Sequence, residues 1–310
     1  MNERRSFTAL LPHEWCFGGF LLLTWLRLLA AVGPLDSSAL LYLILIVTGT
    51  ALTARCLAQP TKARWFARLW YYPVVMNINF PTMGDTALKL VSKRQDEFLQ
   101  RLDAALVGIT PSLRAEAIIS PWLTELMSFC YFLFFPYLFI SLLYYAWRGL
   151  PIFRQLIVGL FIVYGFGFLG YTILPAAGPY LAMKDQFTIP LTGFAITKLN
   201  AAVVAKGSNG VDVFPSLHCA VSCFLLGFDR QHARRRFLLY LLPCCGLWMA
   251  TIYLRYHYLT DVLVGFALAA LALRITGWWA SRTEEDTQPD NFLTNLPHPT
   301  PNPNETNPKL

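Results

Sequence analysis

Two of the five histidines stand where their neighbours could turn them to chemistry. His257 and Asp261 are four residues apart, so on a helix they share a face. The carboxylate can then accept a hydrogen bond from one ring nitrogen, fixing the tautomer and leaving the other nitrogen as a nucleophile or base. His218 closes the run Phe214-Pro215-Ser216-Leu217-His218. Ser216 is a good N-cap, Pro215 suits a helix entry, and an apolar helix follows. The first amides of such a helix point outward at the positive end of its dipole, which makes an anion site. Arg255 could add a cation to a bound anion.

A single histidine at a helix end is more often structural, and an isolated His-x-x-x-Asp is common. Two histidines, a paired aspartate and an anion-binding helix start on one side of a membrane favour a catalytic site. His13 and His298 are terminal and His232 lies in an arginine-rich turn, so each is expected to face water or head groups. Cys219 and Cys223 lie near His218, but Cys219 points away from it on a helix. No ligand pair has zinc-motif spacing, so neither metal nor cofactor is expected.

The elements that must hold these residues are membrane helices. Of 310 residues, 55% are hydrophobic and only 14% charged, against about 25% charged in a soluble domain. Mean hydropathy is +0.46. A sphere of this size has too little polar surface to cover so much apolar side chain. Composition excludes a soluble enzyme, a nucleic-acid-binding protein and a disordered chain. It predicts an all-α polytopic bundle of about six or seven spans, over residues 15–32, 38–58, 119–147, 152–174, 216–228 with its continuation, 237–254 and 262–280. The seven cysteines are odd in number and mostly sit in apolar runs, which is no disulfide framework.

Three regions follow: 1–118, N-terminal helices with an interfacial part; 119–280, the membrane core; and 281–310, a tail with six prolines in thirty residues, expected to be disordered. Within the first, Trp65, Phe66, Trp70, Tyr71 and Tyr72 beside Lys62, Arg64 and Arg68 suggest a membrane–water interface. Leu88, Val91, Phe98, Leu99, Leu102 and Leu106 recur at helical spacing. They predict an amphipathic helix lying on the membrane, with packing on the protein itself as the alternative. The net charge of +7 becomes +10 over the first 280 residues. Arg230, Arg234, Arg235 and Arg236 in one turn place that turn in the cytoplasm, and both histidine motifs on the opposite side. The front half leaves one crossing unassigned. Residues 69–84 could supply it, but Pro73 and Pro81 make them a poor span.

Residues 214–218 and His257-x-x-x-Asp261 resemble the second and third motifs of the type 2 phosphatidic acid phosphatase superfamily. Tyr253-Leu254-Arg255-Tyr256-His257-Tyr258 looks most like the branch of inositol phosphorylceramide synthases, the aureobasidin-resistance branch, and its bacterial relatives. Residues 170–179, Gly-Tyr-Thr-Ile-Leu-Pro-Ala-Ala-Gly-Pro, resemble that branch's first segment. Residues 102–108 with Pro111, and 121–126, are also similar to the bacterial members, so the likeness spans roughly 96–280. The resemblance implies that His257 attacks phosphorus to form a phosphohistidine, that Asp261 orients it, and that His218 protonates the departing oxygen and later deprotonates water or an alcohol. No metal is implied.

The superfamily's first-motif Lys and Arg are absent from residues 171–179, and Thr251 stands where its third motif has an Arg. Arg255, Ser216 and Lys184 are the expected phosphate-binding residues in their place, with Lys198 and Lys206 behind them. The 176–213 loop is expected to cover the site. The implied function is an integral, multi-pass membrane phosphatase or phosphotransferase. It would act on a phospholipid, lipid phosphate or lipid diphosphate, in the cell or inner membrane or an endomembrane. Transfer of an inositol-phosphate or other phospho-head group to a lipid alcohol is the alternative to hydrolysis. A non-enzymatic transporter or scaffold is the third reading, disfavoured because few charges besides Arg27, Arg274 and Glu125 enter the spans. Substrate, acceptor and oligomeric state stay open.

Overall fold

The computed structural model describes residues 10–285. Among the described residues eleven helices have eight or more residues: α1 Pro12–Ala31, α2 Ser37–Ala58, α3 Lys62–Leu90, α4 Asp96–Val107, α5 Pro121–Phe132, α6 Phe134–Arg148, α7 Leu150–Ile173, α8 Ala195–Gly207, α9 Leu217–His232, α10 Arg234–Tyr253 and α11 Leu259–Glu285. Among the described residues there is no strand, only an isolated bridge between Ala176 and Asp212. Six segments of the described residues are long and apolar enough to cross a bilayer: α1, α2, α5 with α6, α7, α10 and α11. The protein is a multi-pass membrane protein.

The core forms around α7. Its residues are hydrophobic all round, and 153 and 156–163 are buried without a break, as expected of a helix surrounded by others. α1, α3, α6, α9 and α11 pack on it. Small residues let the chain carrying Ser216 and His218 come close. A Cβ on Gly170 of α7 would lie 2.9 Å from the Phe214 carbonyl oxygen, and one on Gly265 of α11 would lie 2.6 Å from that of Ser216. Close backbone approach at small residues is the usual packing of membrane helices.

Residues 69–84 lie inside α3, which is not among those six segments. It runs as one helix of 29 residues through both Pro73 and Pro81, about 43 Å at 1.5 Å per residue. Two internal prolines, each of which removes a helical hydrogen bond, are tolerated because the helix is packed between α2 and α7. The Asn77 side chain also donates to the Pro73 carbonyl, 2.8 Å away. The aromatic-basic stretch forms the first half of this packed helix. Phe66 stacks on Phe153 of α7 at 5.8 Å, and Arg68 is buried and paired with Glu14 of α1.

Three further expectations need correction. His13, expected to face water, is fully buried with its ring 4.4 Å from that of Tyr72; the turn that starts α1 folds it under α3. The apolar period of 88–106 spans two helices, α3 ending at Leu90 and α4 starting at Asp96. α4 does not lie free on the surface, for Leu99 and Asp103 are buried completely. The segment assigned to the tail begins inside α11, which continues to Glu285; the rest of it, with His298, lies outside the described residues.

Candidate active site

The Phe214–His218 run folds as its composition demands. Ser216 caps α9, its hydroxyl accepting from the Cys219 amide at 3.4 Å, a contact of a kind that contributes about 1 kcal/mol. The Ser216 amide donates to the Asp261 carbonyl at 3.1 Å, which ties the start of α9 to the start of α11. His218 follows in the first turn of α9.

His257 arrives on a sharp turn between α10 and α11. Arg255 has φ of 67°, a left-handed conformation rare outside glycine. It turns the chain back so that the amides of Tyr256 and His257 both donate to the Thr251 carbonyl at 3.0 Å. His257 Nδ1 lies 3.2 Å from Asp261 Oδ1, and the other carboxylate oxygen accepts from the Tyr258 amide at 3.0 Å. His257 Nε2 is 3.5 Å from His218 Nδ1. The Tyr131 hydroxyl is 3.3 Å from the same nitrogen of His218. Two imidazoles thus face each other. One is backed by a carboxylate, and on the other a phenol shares the nitrogen that faces its partner.

Four expected residues come together here: His218, His257, Asp261 and Ser216. Two do not. The guanidinium of Arg255 is held elsewhere, its Nη2 3.0 Å from Glu116 Oε1 and also donating to the Ile189 carbonyl, with the Phe187 ring 4.0 Å away. Burial and partners act in opposite directions there. Desolvation lowers the Arg255 pKa although Glu116 supports its charge. Lys184 is exposed on the short turn Lys184–Gln186.

The residues that position the site were not singled out from sequence. Asp96 and Asp103, seven apart and on one face of α4, are both buried. Asp103 accepts from the amides of Leu259 and Thr260 at 3.0 and 2.9 Å and from the Thr260 hydroxyl at 2.7 Å. It therefore caps α11 two residues before Asp261. Asp96 accepts from the amides of Ala177 and Gly178 and from the Tyr258 hydroxyl, all within 3.0 Å. α4 is a clamp that holds the 176–178 segment and the His257–Asp261 turn in register. Its signal was present in the sequence: an aspartate at 103, inside the apolar stripe of Leu99, Leu102 and Leu106.

The 176–213 loop is strapped down by two more carboxylates. Glu116 accepts from the amides of Thr188 and Ile189 at 3.0 and 2.9 Å. Burial pushes its carboxyl up, but these amides and Arg255 outweigh it and hold the pKa below its ordinary range. Glu125 of α5 caps α8 through the amides of Phe194, Ile196 and Thr197. Asn200 of α8 donates to the Tyr256 hydroxyl at 3.2 Å. Asp212 adds an acid on which the charge of His257 acts; burial raises its carboxyl pKa, against the Ser208 hydroxyl bonded to it.

The sequence profile of the PAP2 superfamily matches residues 97–275, more than half of the chain and both histidine motifs. The chain belongs to the PAP2 superfamily. The matched region of this PAP2 protein begins on α4 at residue 97, so it takes in Asp103 of the clamp and starts one residue after Asp96. It is 29% identical over 158 residues to phosphoinositol dihydroceramide synthase of Bacteroides thetaiotaomicron. That alignment takes in 46% of this chain and 50% of the relative, so the match spans about half the length of the curated protein. No solved structure matches.

Proposed function

We propose that this PAP2 protein is an integral membrane lipid-phosphate phosphatase or phosphotransferase working through a phosphohistidine on His257. The observation that carries the reading is the division of labour on the His257 ring. Nδ1 is turned to Asp261, and Nε2 is left facing His218. That is the arrangement of an oriented nucleophile opposite an acid–base partner.

In the first step Nε2 bonds to phosphorus as the bond from phosphorus to the lipid oxygen breaks, and His218 gives that oxygen its proton. In the second, water or an alcohol passes its proton to His218 and bonds to phosphorus as the N–P bond breaks. Asp261 offsets the charge on the phosphorylated ring. At 3.5 Å the imidazoles leave no space for a phosphoryl group, so the His218 ring swings aside to admit it. The phosphate oxygens then meet the amides at the start of α9. Arg255 reaches them only by leaving Glu116. The four arginines between Asp229 and Arg236 support a cytoplasmic position for that end of the bundle and an extracytoplasmic one for the site.

The name of the Bacteroides relative favours a second form of the reading, transfer of a phospho-head group such as phosphoinositol to a lipid alcohol. The purified protein, given a panel of radiolabelled lipid phosphates and phosphatidylinositol, decides between them. Free phosphate supports hydrolysis, and product only with added alcohol supports transfer. An acid-labile phosphoenzyme should be trapped in wild type and missing from His257→Ala, whose turnover should fall by about 10⁴-fold or more. A phosphoenzyme of undiminished yield in His257→Ala would sink the mechanism.

A further inference from the structure

The acid–base histidine also tells where the lipid tails go. In the reaction proposed above, on which this inference rests, His218 protonates the oxygen that carries the acyl chains. The chains must therefore lie on the His218 side of phosphorus, away from Asp261. That side of the ring is formed by Tyr131 of α5, 4.6 Å away, and by Phe134 and Phe135 of α6, at 4.5 and 6.3 Å between ring centres. Phe134 is buried, but Phe135 is 43% exposed on the outer surface of the α5–α6 span. Of the three rings on this side of His218, Phe135 is the one that reaches the outer surface of the bundle.

The span is interrupted at the same place. α5 ends at Phe132, α6 starts at Phe134, and Leu133 joins them. Pro136 has no N–H to offer the carbonyl one turn back, so the backbone beside Phe135 lacks a helical hydrogen bond and is where this wall can bend. The opposite side of the site is closed. His257 is 2% exposed and Asp261 not at all, with α4 clamped over their turn.

We propose that the α5–α6 break is the lateral portal through which the acyl chains of the substrate enter and leave, with Phe135 as its gate. An incoming lipid alcohol takes the place of the departing lipid oxygen, so its chains use the same opening. A donor's lipid product must clear the portal before an acceptor fills it.

The test compares substrates with and without chains. Phe135→Trp and Phe135→Ala are assayed against wild type on dioleoyl phosphatidic acid in mixed micelles and on water-soluble p-nitrophenyl phosphate. Phe135→Trp should lower kcat/KM for the dioleoyl lipid about tenfold more than for the soluble ester. Phe135→Ala should shift the ratio the other way. Equal proportional losses on both substrates would overturn the portal while leaving the proposed reaction standing. Independently, a lipid phosphate with a diazirine near its glycerol is irradiated in vesicles with the His257→Ala protein. Label on residues 129–135 supports the portal, and label confined to other segments overturns it. If wild type turned over no phosphate ester, the proposed function would fail, and the labelling pattern alone would still decide the portal.

Discussion

Asp229 and Asp261 are both fully buried carboxylates, one at each end of the bundle, and their surroundings treat them differently. Asp229, at the end of α9 near the arginine turn, accepts from the hydroxyls of Tyr137 and Tyr145 and from Arg236 Nε at 3.1 Å. Arg236 is itself fixed by the Ser141 hydroxyl and by the Tyr144 ring, 4.5 Å away. Every acceptor position that matters is filled by a group with a permanent charge or a phenol. Asp261 has one amide and one imidazole. That imidazole turns its second nitrogen toward another imidazole. A saturated, permanent set of partners makes structure, whereas a titratable partner with a free nitrogen makes chemistry.

Exchanging charge for amide at each end should separate the two roles. Asp261→Asn should lower kcat by about 10³–10⁴-fold, the scale seen when an orienting carboxylate is removed from a histidine, with little change in the unfolding midpoint in detergent. Asp229→Asn leaves Arg236 without its carboxylate, so it should cost about 3–5 kcal/mol of stability and leave kcat per folded molecule within a few-fold. The contrast breaks if the two variants lose activity alike.

Asp103 lies between these extremes, a structural acid acting on the site. Asp103→Ala should cost about 1–2 kcal/mol through the lost cap and lower kcat about tenfold with KM nearly unchanged, because His257 and Asp261 lose register while the binding surface stays. Asp103→Asn, which keeps an acceptor oxygen, should recover part of the kcat. A loss in KM alone would make Asp103 part of the binding surface instead.

The smallest effect is expected at Glu116, read by amide exchange at Thr188 and Ile189. Its folded pKa lies below the ordinary 4.5. The stability it lends is present above that value and is lost as pH falls through the depressed one. Protection of the two amides, corrected for intrinsic exchange, should hold from neutral pH to 4.5 and weaken below it. Glu116→Gln should show the weakened state at every pH. Equal protection in both proteins would remove Glu116 as the strap.

The spans were legible in the sequence because run length and polarity are local, and α1, α2, α7 and α10 begin and end within a few residues of their apolar runs. His218, His257 and Asp261 were legible because so few titratable residues enter apolar segments. What could not be read was distant. The partners of Asp96 and Asp103 lie more than 80 residues away in the chain, and no local pattern announces them. α3 was obscured by its prolines, since the packing that overrides them comes from α2 and α7. Arg255 looked like a free cation because Glu116, 139 residues earlier, is invisible from its own neighbourhood.

The brevity of α9 carries a consequence of its own. Its 16 residues reach about 24 Å, less than the roughly 30 Å of a hydrocarbon core. If the arginine turn marks one surface, as in the proposed topology, His218 lies below the other. A lipid phosphate bound there in the proposed reaction would hang beneath the phosphates of its neighbours, and turnover should then depend on membrane thickness in the same sense as on substrate concentration.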